Sequence, residues 1–267
     1  MNPLAVTPGL HGPTRSPQGI VWHLPHDATA IPEEVRGQFV LGDQELATEV
    51  LRMTDHFTGQ LFGLDLGNER VIRVPVSRLV VDVERFPEDR DEPMAAGGMG
   101  VIYNRTSEGR PLRRPITERE RQALLERWYW PHHRRLEGAV ERALVRTGQC
   151  LLIDCHSFPS QPLPYETDQS PDRPDICLGT DEFHTPAVLV EATITAFRRE
   201  GFNVAVDRPF SGALVPLSRY RRDGRVSALM VEVNRRLYLD ERTVEWSAAG
   251  ESTSERLKRV LQRLVTA

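Results

Sequence analysis

The chain is poor in the features that mark membrane, secreted and nucleic-acid-binding proteins. No part of its 267 residues approaches the roughly 18 apolar residues of a membrane span. Residues 1–19 contain four prolines and no apolar stretch of the kind found in secretory signals. The formal net charge of −4 gives no electrostatic reason to bind nucleic acids or anionic membranes. We therefore expect a protein whose partner is neither a nucleic acid nor a membrane.

Cysteine is scarce as well. The three cysteines, Cys150, Cys155 and Cys177, are odd in number and lack the C-x-x-C spacing of zinc sites. Cys150 and Cys155 fall on or beside one apolar run, where cysteine packs as a small apolar residue. This usage favours a reducing cytoplasm.

Strand-like apolar runs are separated by helical stretches, an order that predicts an α/β fold. The composition is that of an ordinary globular protein, with 27% charged and 39% hydrophobic residues, and no internal repeat is visible. We predict one domain over residues 19–267, preceded by an irregular segment at 1–18. A mixed central sheet flanked by helices is expected, with strands at Ile20–Leu24, Val71–Pro75, Leu79–Val83, Cys150–Asp154, Asn203–Asp207 and Ser227–Val233.

The clearest helix signal is a capping box that begins at Thr117 and precedes apolar residues at helical spacing. Pro131 should kink or end this helix, and a second helix should run from about His132 to Thr147. Further helices are predicted at Glu45–Met53, Thr185–Glu200 and Ser252–Val265, and irregular segments at Phe86–Gly100 and Phe158–Pro174.

Three apolar runs carry polar residues of the kind that bind metals: His26 in Gly19–Asp27, His156 in Leu151–Ser157 and Glu232 in Ser227–Arg235. Ligands of open α/β sheets bind at the carboxyl ends of strands. Each segment alone has an ordinary explanation, because a single histidine is commonly a core or loop residue and Glu232 could pair with Arg235. Together they favour a metal-assisted hydrolase.

The residue pattern alone does not identify the third metal ligand. Zinc hydrolases typically use three ligands from His, Asp and Glu and keep a fourth position for water. Asp27 is too close in sequence to His26 for easy convergence, whereas Glu33 or Glu34 could serve. Asp55 is another candidate, although it could equally be a helix N-cap.

The motif at 153–157 resembles the N-formylglutamate amidohydrolase family when it is taken with Pro131–His133 before it and Asp175–Thr180 after it. The resemblance continues through Ser77–Arg85 and Val231–Tyr238, with the motifs in the family's order. That family is related to zinc carboxypeptidases. The resemblance therefore implies a carboxypeptidase-like α/β fold, one Zn²⁺ ion and hydrolysis of a small N-acyl amino acid, with N-formyl-L-glutamate as the leading substrate.

The resemblance also implies roles for single residues. The metal ligands would be His26, Asp55 and His156, and the general base would be Glu232. The substrate-binding residues would be Arg85, which matches the clamp for a substrate carboxylate, His133 and Arg208. Arg208 lies in a loop similar to the family's Pro-aromatic-x-Gly loop, where it could be a second clamp or a solvated surface arginine.

Two departures from the family's pattern bear on the site. Pro25–Ala28 lacks the glycine of the family's Pro-His-Ser-Gly or Pro-His-Ala-Gly. Glu84 replaces the Asn of the pattern Asp-x-Asn-Arg, immediately before Arg85. We expect Glu84 to border the pocket, to pair with Arg85 and to shift preference towards substrates with a neutral or basic side chain.

Two other functions stay open from the sequence. One is a metallopeptidase or amidase of the same fold that acts on peptides or cell-wall fragments, and the other is a metal-free binding protein. A lid formed by Phe158–Pro174 would favour a small substrate, whereas an open groove would favour a peptide.

Overall fold

The computed structural model describes residues 19–266, so the predicted segment at 1–18 lies outside the described residues. A six-stranded sheet forms the centre, in the order β2-β1-β3-β6-β4-β5. The strands are β1 (Gly19–Leu24), β2 (Val71–Arg73), β3 (Cys150–Phe158), β4 (Ile176–Gly179), β5 (Val204–Val206) and β6 (Val226–Asn234). Strands β4 and β5 are parallel to each other, but β4 is antiparallel to β6, and all other neighbours are parallel. The prediction of a mixed α/β sheet is confirmed.

Seven helices and a small hairpin surround this sheet in the described part of the chain. The helices are α1 (Glu33–Arg36), α2 (Asp43–Met53), α3 (Thr58–Leu61), α4 (Glu118–Leu124), α5 (Trp130–Thr147), α6 (Ala187–Arg199) and α7 (Gly250–Thr266), and the hairpin pairs β7 (Leu239–Asp240) with β8 (Glu245–Trp246). None of the helices within 19–266 has both the length and the apolar character needed to cross a bilayer. All three cysteines are buried and unpaired.

The two longest strands, β3 and β6, are buried because helices cover both faces of the sheet. Alternate residues of β3 belong to different cores, since side chains in a strand alternate between faces. Leu151 and Ile153 pack with α3, α6 and α7, whereas Leu152 packs with α5. Packing on both faces of the sheet holds these strands in place. It thereby also positions the polar residues near the carboxyl ends of β3 and β6.

The predicted strand at Leu79–Val83 is wrong. These residues are buried but form turns, within a third apolar cluster that contains α2 and residues 124–129. Their carbonyls are satisfied by a side chain, because the Arg113 guanidinium donates to the carbonyls of Leu79, at 2.7 Å, and Val80, at 3.3 Å. An apolar run indicates that a segment is buried, but it does not distinguish a strand from a buried loop.

Pro131 does not end the helical segment. A π-helical turn at Leu125–Tyr129 follows α4, and α5 begins at Trp130, so Pro131 lies in its first turn. Proline clashes with the carbonyl four residues earlier in a regular α-helix, and that residue, Arg127, lies in the π turn. The local change of helical geometry accommodates the ring and lets α5 start two residues earlier than predicted.

Two further details differ from the sequence prediction. Strand β3 extends to Phe158, so His156 lies inside the strand instead of after it. The short strand β4 lies between β5 and β6 but was not predicted, since four residues give too little pattern to identify it.

Close packing at the end of β4 gives a test of the fold. A Cβ at Gly179 would overlap the Gly212 carbonyl oxygen and the Met230 methyl group. We expect Gly179→Ala to lower the free energy of unfolding by about 1–3 kcal/mol, the usual effect of overpacking. Urea unfolding of Gly179→Ala and of Gly37→Ala would measure it. Gly37 has right-handed helical geometry and open space around its Cβ position, so its substitution should not destabilise the protein. Equal losses in both variants would contradict the packing.

Candidate active site

A cavity of about 520 Å³ opens beside the carboxyl ends of β1, β3 and β6. Its polar lining includes His26, Asp55, Glu84, His156 and Glu232. Its apolar lining includes Phe86, Met94, Leu163, Phe210 and Leu214. The sheet thus brings His26, His156 and Glu232 to one cavity from three separate segments, and Asp55 and Glu84 reach it from loops.

His26, Asp55 and His156 converge, with one potential ligand atom from each lying within 4.8 Å of the other two. Asp55 Oδ2 is 3.1 Å from His156 Nδ1 and 3.9 Å from His26 Nδ1. All three side chains are buried. Asp55 is held in place by its backbone N–H, which donates to the His26 carbonyl at 2.9 Å. It is not a helix N-cap, because the cap position of α3 is Phe57.

A second carboxylate orients each histidine. Asp82 Oδ1 accepts from His26 Nε2 at 2.9 Å, and Asp154 Oδ1 lies 3.1 Å from His156 Nε2. Carboxylates that hold one ring nitrogen of a metal-binding histidine fix the ring and raise its basicity. The other nitrogen of His26, Nδ1, is buried and has no hydrogen-bond partner among the described residues.

Four carboxylates, those of Asp55, Asp82, Glu84 and Asp154, lie within 4 Å of a ring nitrogen of His26 or His156. Burial by itself would raise the pKa of Asp55, but the hydrogen bond from His156 and the charges of His26 and Arg235 lower it to about 2. Burial likewise opposes protonation of His156, yet Glu84 and Asp154 raise its pKa well above the ordinary value. Buried carboxylates are stable only beside positive charge.

The residues present fit a divalent metal ion. Two imidazoles and a carboxylate are a donor set found in catalytic zinc sites. The Nδ1 of His26 makes no hydrogen bond among the described residues and lies inside this donor set, so it is free to bind an ion. His26, Asp55 and His156 can therefore hold a metal together, while Asp82 and Asp154 support the rings.

Glu232 lies beside this group because of the strand register. It pairs with His156 across β3 and β6, and its Oε2 is buried without a hydrogen-bond partner in the described chain. Burial raises the pKa of the Glu232 carboxyl to about 8, against the effect of His156. A carboxyl group with its pKa near neutrality can both take up and release a proton.

Arg85 and His133 line the wall of the cavity. The Nε of Arg85 is buried and has no hydrogen-bond partner among residues 19–266, and it lies 3.8 Å from Asp82 Oδ2. His133 Nε2 donates to the Val83 carbonyl at 2.9 Å, and Tyr129 donates to the Arg85 carbonyl at 2.9 Å. Burial lowers the pKa of His133 to about 4, so its ring is neutral. The two bonds fix the turn that carries Arg85.

Other sequence candidates lie elsewhere. Arg208 is half-exposed and donates to the Asp172 carbonyl at 2.5 Å, and it does not line the cavity. Glu33 and Glu34 are exposed on α1, where Glu34 pairs with Arg127 at 2.6 Å. The structure therefore does not bring these three side chains to the cavity.

Glu84 borders the cavity, as expected, but its side chain does not pair with Arg85. Its carboxylate turns to the histidines, with Oε1 3.1 Å from His156 Nε2, while Arg85 lies near Asp82. Adjacent residues of a strand would point to opposite faces. Residues 82–85 form turns instead, so that rule does not apply to them.

Sequence reasoning missed the supporting residues. Arg235 Nη2 donates to Asp55 Oδ1 at 3.1 Å, and Arg78 Nη2 donates to Asp82 Oδ2 at 2.9 Å. Asp154 lies two residues before His156 and shares its face of β3, which was the one signal available for it. Arg235 and Asp55 lie 180 residues apart, so no sequence spacing indicates that pair, whereas Arg78 and Asp82 are only four residues apart.

Comparison with known proteins places this geometry in context. The family model of N-formylglutamate amidohydrolases matches residues 18–239. The fold is similar to the crystal structure of N-formylglutamate amidohydrolase from Ralstonia eutropha JMP134, with a TM-score of 0.79 and 24% identity over 95% of each chain. A gene product of Agrobacterium tumefaciens is also similar, with a TM-score of 0.62 and 17% identity over 93% of this chain and 92% of that one. No curated protein matches the sequence significantly.

The contribution of the Arg235–Asp55 ion pair to stability can be compared with that of the adjacent Arg236–Asp175 pair. Arg235 and Asp55 are both buried, so Arg235→Met leaves a buried carboxylate without its guanidinium and should cost about 3–5 kcal/mol of unfolding free energy. Arg236 pairs with Asp175 on the surface, and Arg236→Met should cost at most about 1 kcal/mol. Urea unfolding with a metal chelator present compares the two variants. Small and equal losses would show that Asp55 does not depend on Arg235.

Proposed function

Because this chain belongs to the N-formylglutamate amidohydrolase family, we propose that it is a zinc-dependent amidohydrolase that deformylates a small N-formyl amino acid, with N-formyl-L-glutamate as the leading substrate. One observation carries the proposal. His26, Asp55 and His156 converge in the same cavity that Glu232 and Arg85 line. A metal site, a base and a carboxylate clamp are the parts that hydrolysis of an N-formyl amino acid requires.

His26, Asp55 and His156 would hold the ion. A bound zinc supplies a polarised amide carbonyl and a water whose pKa is lowered to about 7. Asp82 and Asp154 keep the two histidine rings oriented, and Arg235 keeps the Asp55 carboxylate in position.

Glu232 would act as general base and then as general acid. Its Oε2 makes no hydrogen bond within the described residues, so it is available to accept the proton of the attacking water. The water oxygen bonds to the formyl carbon and the C–N bond breaks. Glu232 then returns the proton to the leaving amine, which gives formate and the free amino acid.

Arg85 would bind the carboxylate of the substrate. A guanidinium offers a planar pair of donors that matches a carboxylate. The turn that carries Arg85 is fixed by the bonds from His133 and Tyr129 to its backbone, so the clamp is held before substrate binds. Correct positioning matters because misplacement by about 1 Å can cost a hundredfold in rate.

A small substrate is supported over a peptide by the segment at 158–174. Its residues Phe158, Leu163, Tyr165 and Glu166 line the cavity. A buried ion pair between Glu166 and Arg173 anchors the segment. The cavity of about 520 Å³ has the size of a pocket for a small molecule.

The roles of Glu232 and His156 can be separated. Glu232→Gln keeps the shape of the side chain and removes the base, so kcat for N-formyl-L-glutamate should fall by about 10²–10⁴ while zinc stays bound. His156→Ala should lose the zinc itself. Formate release and the zinc content of purified, untagged protein measure the two effects. Near-normal turnover by Glu232→Gln would overturn the mechanism, and a zinc-free, inactive wild type that zinc cannot activate would favour a binding protein.

The clamp can be tested with a substrate that lacks the carboxylate. Loss of one partner of a buried, charged hydrogen-bonded pair costs about 2–5 kcal/mol. Arg85→Met should therefore lower kcat/KM at least about 30-fold for an N-formyl amino acid, and much less for the corresponding amide. Arg208→Met is the matched control and should stay within about twofold of the wild type for both substrates, because Arg208 lies outside the cavity. An equal loss on both substrates would remove Arg85 from carboxylate binding.

A further inference from the structure

Two buried histidines next to the site have no part in the proposed mechanism. His23 lies on β1 and is fully buried, and His132 lies in the first turn of α5 and is also buried. Neither is among the residues that line the cavity in the described part of the chain. Burial of an imidazole costs its hydration, a cost that an apolar side chain in the same place would avoid. The polar contacts of this pair therefore need an explanation.

The first contact of His23 is with Asp154. Strand β1 pairs in parallel with β3, and the register sets His23 opposite Asp154. His23 Nδ1 lies 2.8 Å from Asp154 Oδ1. A carboxylate only accepts hydrogen bonds, so His23 Nδ1 is the donor.

His132 holds the other side of the His23 ring. The Nε2 atoms of the two histidines lie 2.8 Å apart, so one of them donates to the other. The His23 ring is thus hydrogen-bonded at both nitrogens and cannot turn without breaking both bonds. Helix α5 packs on β1 through Leu136, Val140 and Val21, so the core itself fixes this anchor.

One oxygen of Asp154 contacts both His23 and His156. Asp154 Oδ1 lies 3.1 Å from His156 Nε2, whereas the other ring nitrogen of His156, Nδ1, is the one near Asp55. Glu84 Oε1 also lies 3.1 Å from His156 Nε2, but it belongs to a loop and is 3.9 Å from His23 Nδ1. The donor of His23 therefore acts on the Asp154 oxygen, on the side of the His156 ring away from the candidate metal group.

We propose that His23 is a positioning residue of the metal site: held by His132, it fixes Asp154 Oδ1 and thereby the ring of His156. The inference rests on the proposed function, since it concerns a ligand of that ion. A proton held at His156 Nε2 leaves Nδ1 as a lone pair for the metal. Without the donor of His23, the Asp154 carboxylate can turn away, and the orientation and tautomer of His156 are less well defined.

Zinc affinity of the full chain measures this role. His23→Leu removes the donor to Asp154, whereas His23→Asn keeps it, because the amide nitrogen of Asn takes nearly the place of the histidine Nδ1. Both variants lose the bond to His132. Competition with a chromogenic chelator should show about tenfold weaker zinc binding for His23→Leu, the lower end of the loss that supporting partners cause, and binding within about threefold of the wild type for His23→Asn.

His23→Gln is a second variant that removes the donor. Its longer amide reaches the place of the histidine Nε2, so it keeps the bond to His132 and leaves no donor beside Asp154. We expect the same loss of zinc affinity as for His23→Leu. This variant decides the question if His23→Leu does not fold.

A double-mutant cycle with Asp154→Ala shows whether His23 acts through Asp154. Residues that act through one another are not additive. His23→Leu should therefore weaken zinc binding about tenfold in the wild-type background, but less than about twofold in the Asp154→Ala background. A role of His23 in the fold alone would give the same loss in both backgrounds.

His184→Leu is the matched control. His184 is buried and is also hydrogen-bonded at both ring nitrogens, to the Val226 carbonyl and from the Arg221 N–H, each at 2.8 Å. Val226 begins β6, at the end of the strand away from Glu232. His184→Leu should lower stability but keep zinc affinity within about twofold of the wild type, because distant sites are independent. Thermal unfolding in excess EDTA confirms that each metal-free variant is folded.

Failures of the two proposals give different results. Zinc binding within about twofold of the wild type by the folded variants without the donor, or equal losses in both backgrounds of the cycle, would overturn the role of His23 and leave the metal-dependent function intact. A wild type that binds no zinc would overturn both.

Discussion

The parallel pairing of β3 with β6 is the constraint on which the site depends. It sets His156 opposite Glu232 in the register, with the buried residues of both strands held between helices on the two faces of the sheet. A shift of one residue would move every side chain of a strand to the other face. The same packing that stabilises the sheet therefore also places His156, a proposed metal ligand, beside Glu232, the proposed general base.

Electrostatics then determines what this arrangement can bind. Asp55, Asp82 and Asp154 are buried carboxylates beside the histidines, and each is stable only through a specific partner. Asp55 has His156 and Arg235, and Asp82 has His26 and Arg78. At such a site, binding of the proposed metal ion and the stability of the folded chain would be linked.

The loop at 74–85 is buried and hydrogen-bonded although it contains no strand. Its apolar residues lie in a cluster of their own, and its carbonyls accept from Arg113 and His133 side chains. This satisfies the backbone without a neighbouring strand. Asp82, Glu84 and Arg85 can thus approach the histidines and the cavity from outside the sheet.

The sequence by itself determined the α/β class, the approximate positions of five of the six sheet strands, and the approximate bounds of α2, α6 and α7, because long apolar runs and helical periodicity are local signals. It also identified the segments of His26, His156 and Glu232, since polar residues in buried strands are conspicuous. Only the tertiary structure decided that Leu79–Val83 is a loop, that Glu84 faces the histidines and that Arg208 does not reach the cavity. These outcomes depend on contacts between distant segments, and such contacts leave no pattern in the local sequence.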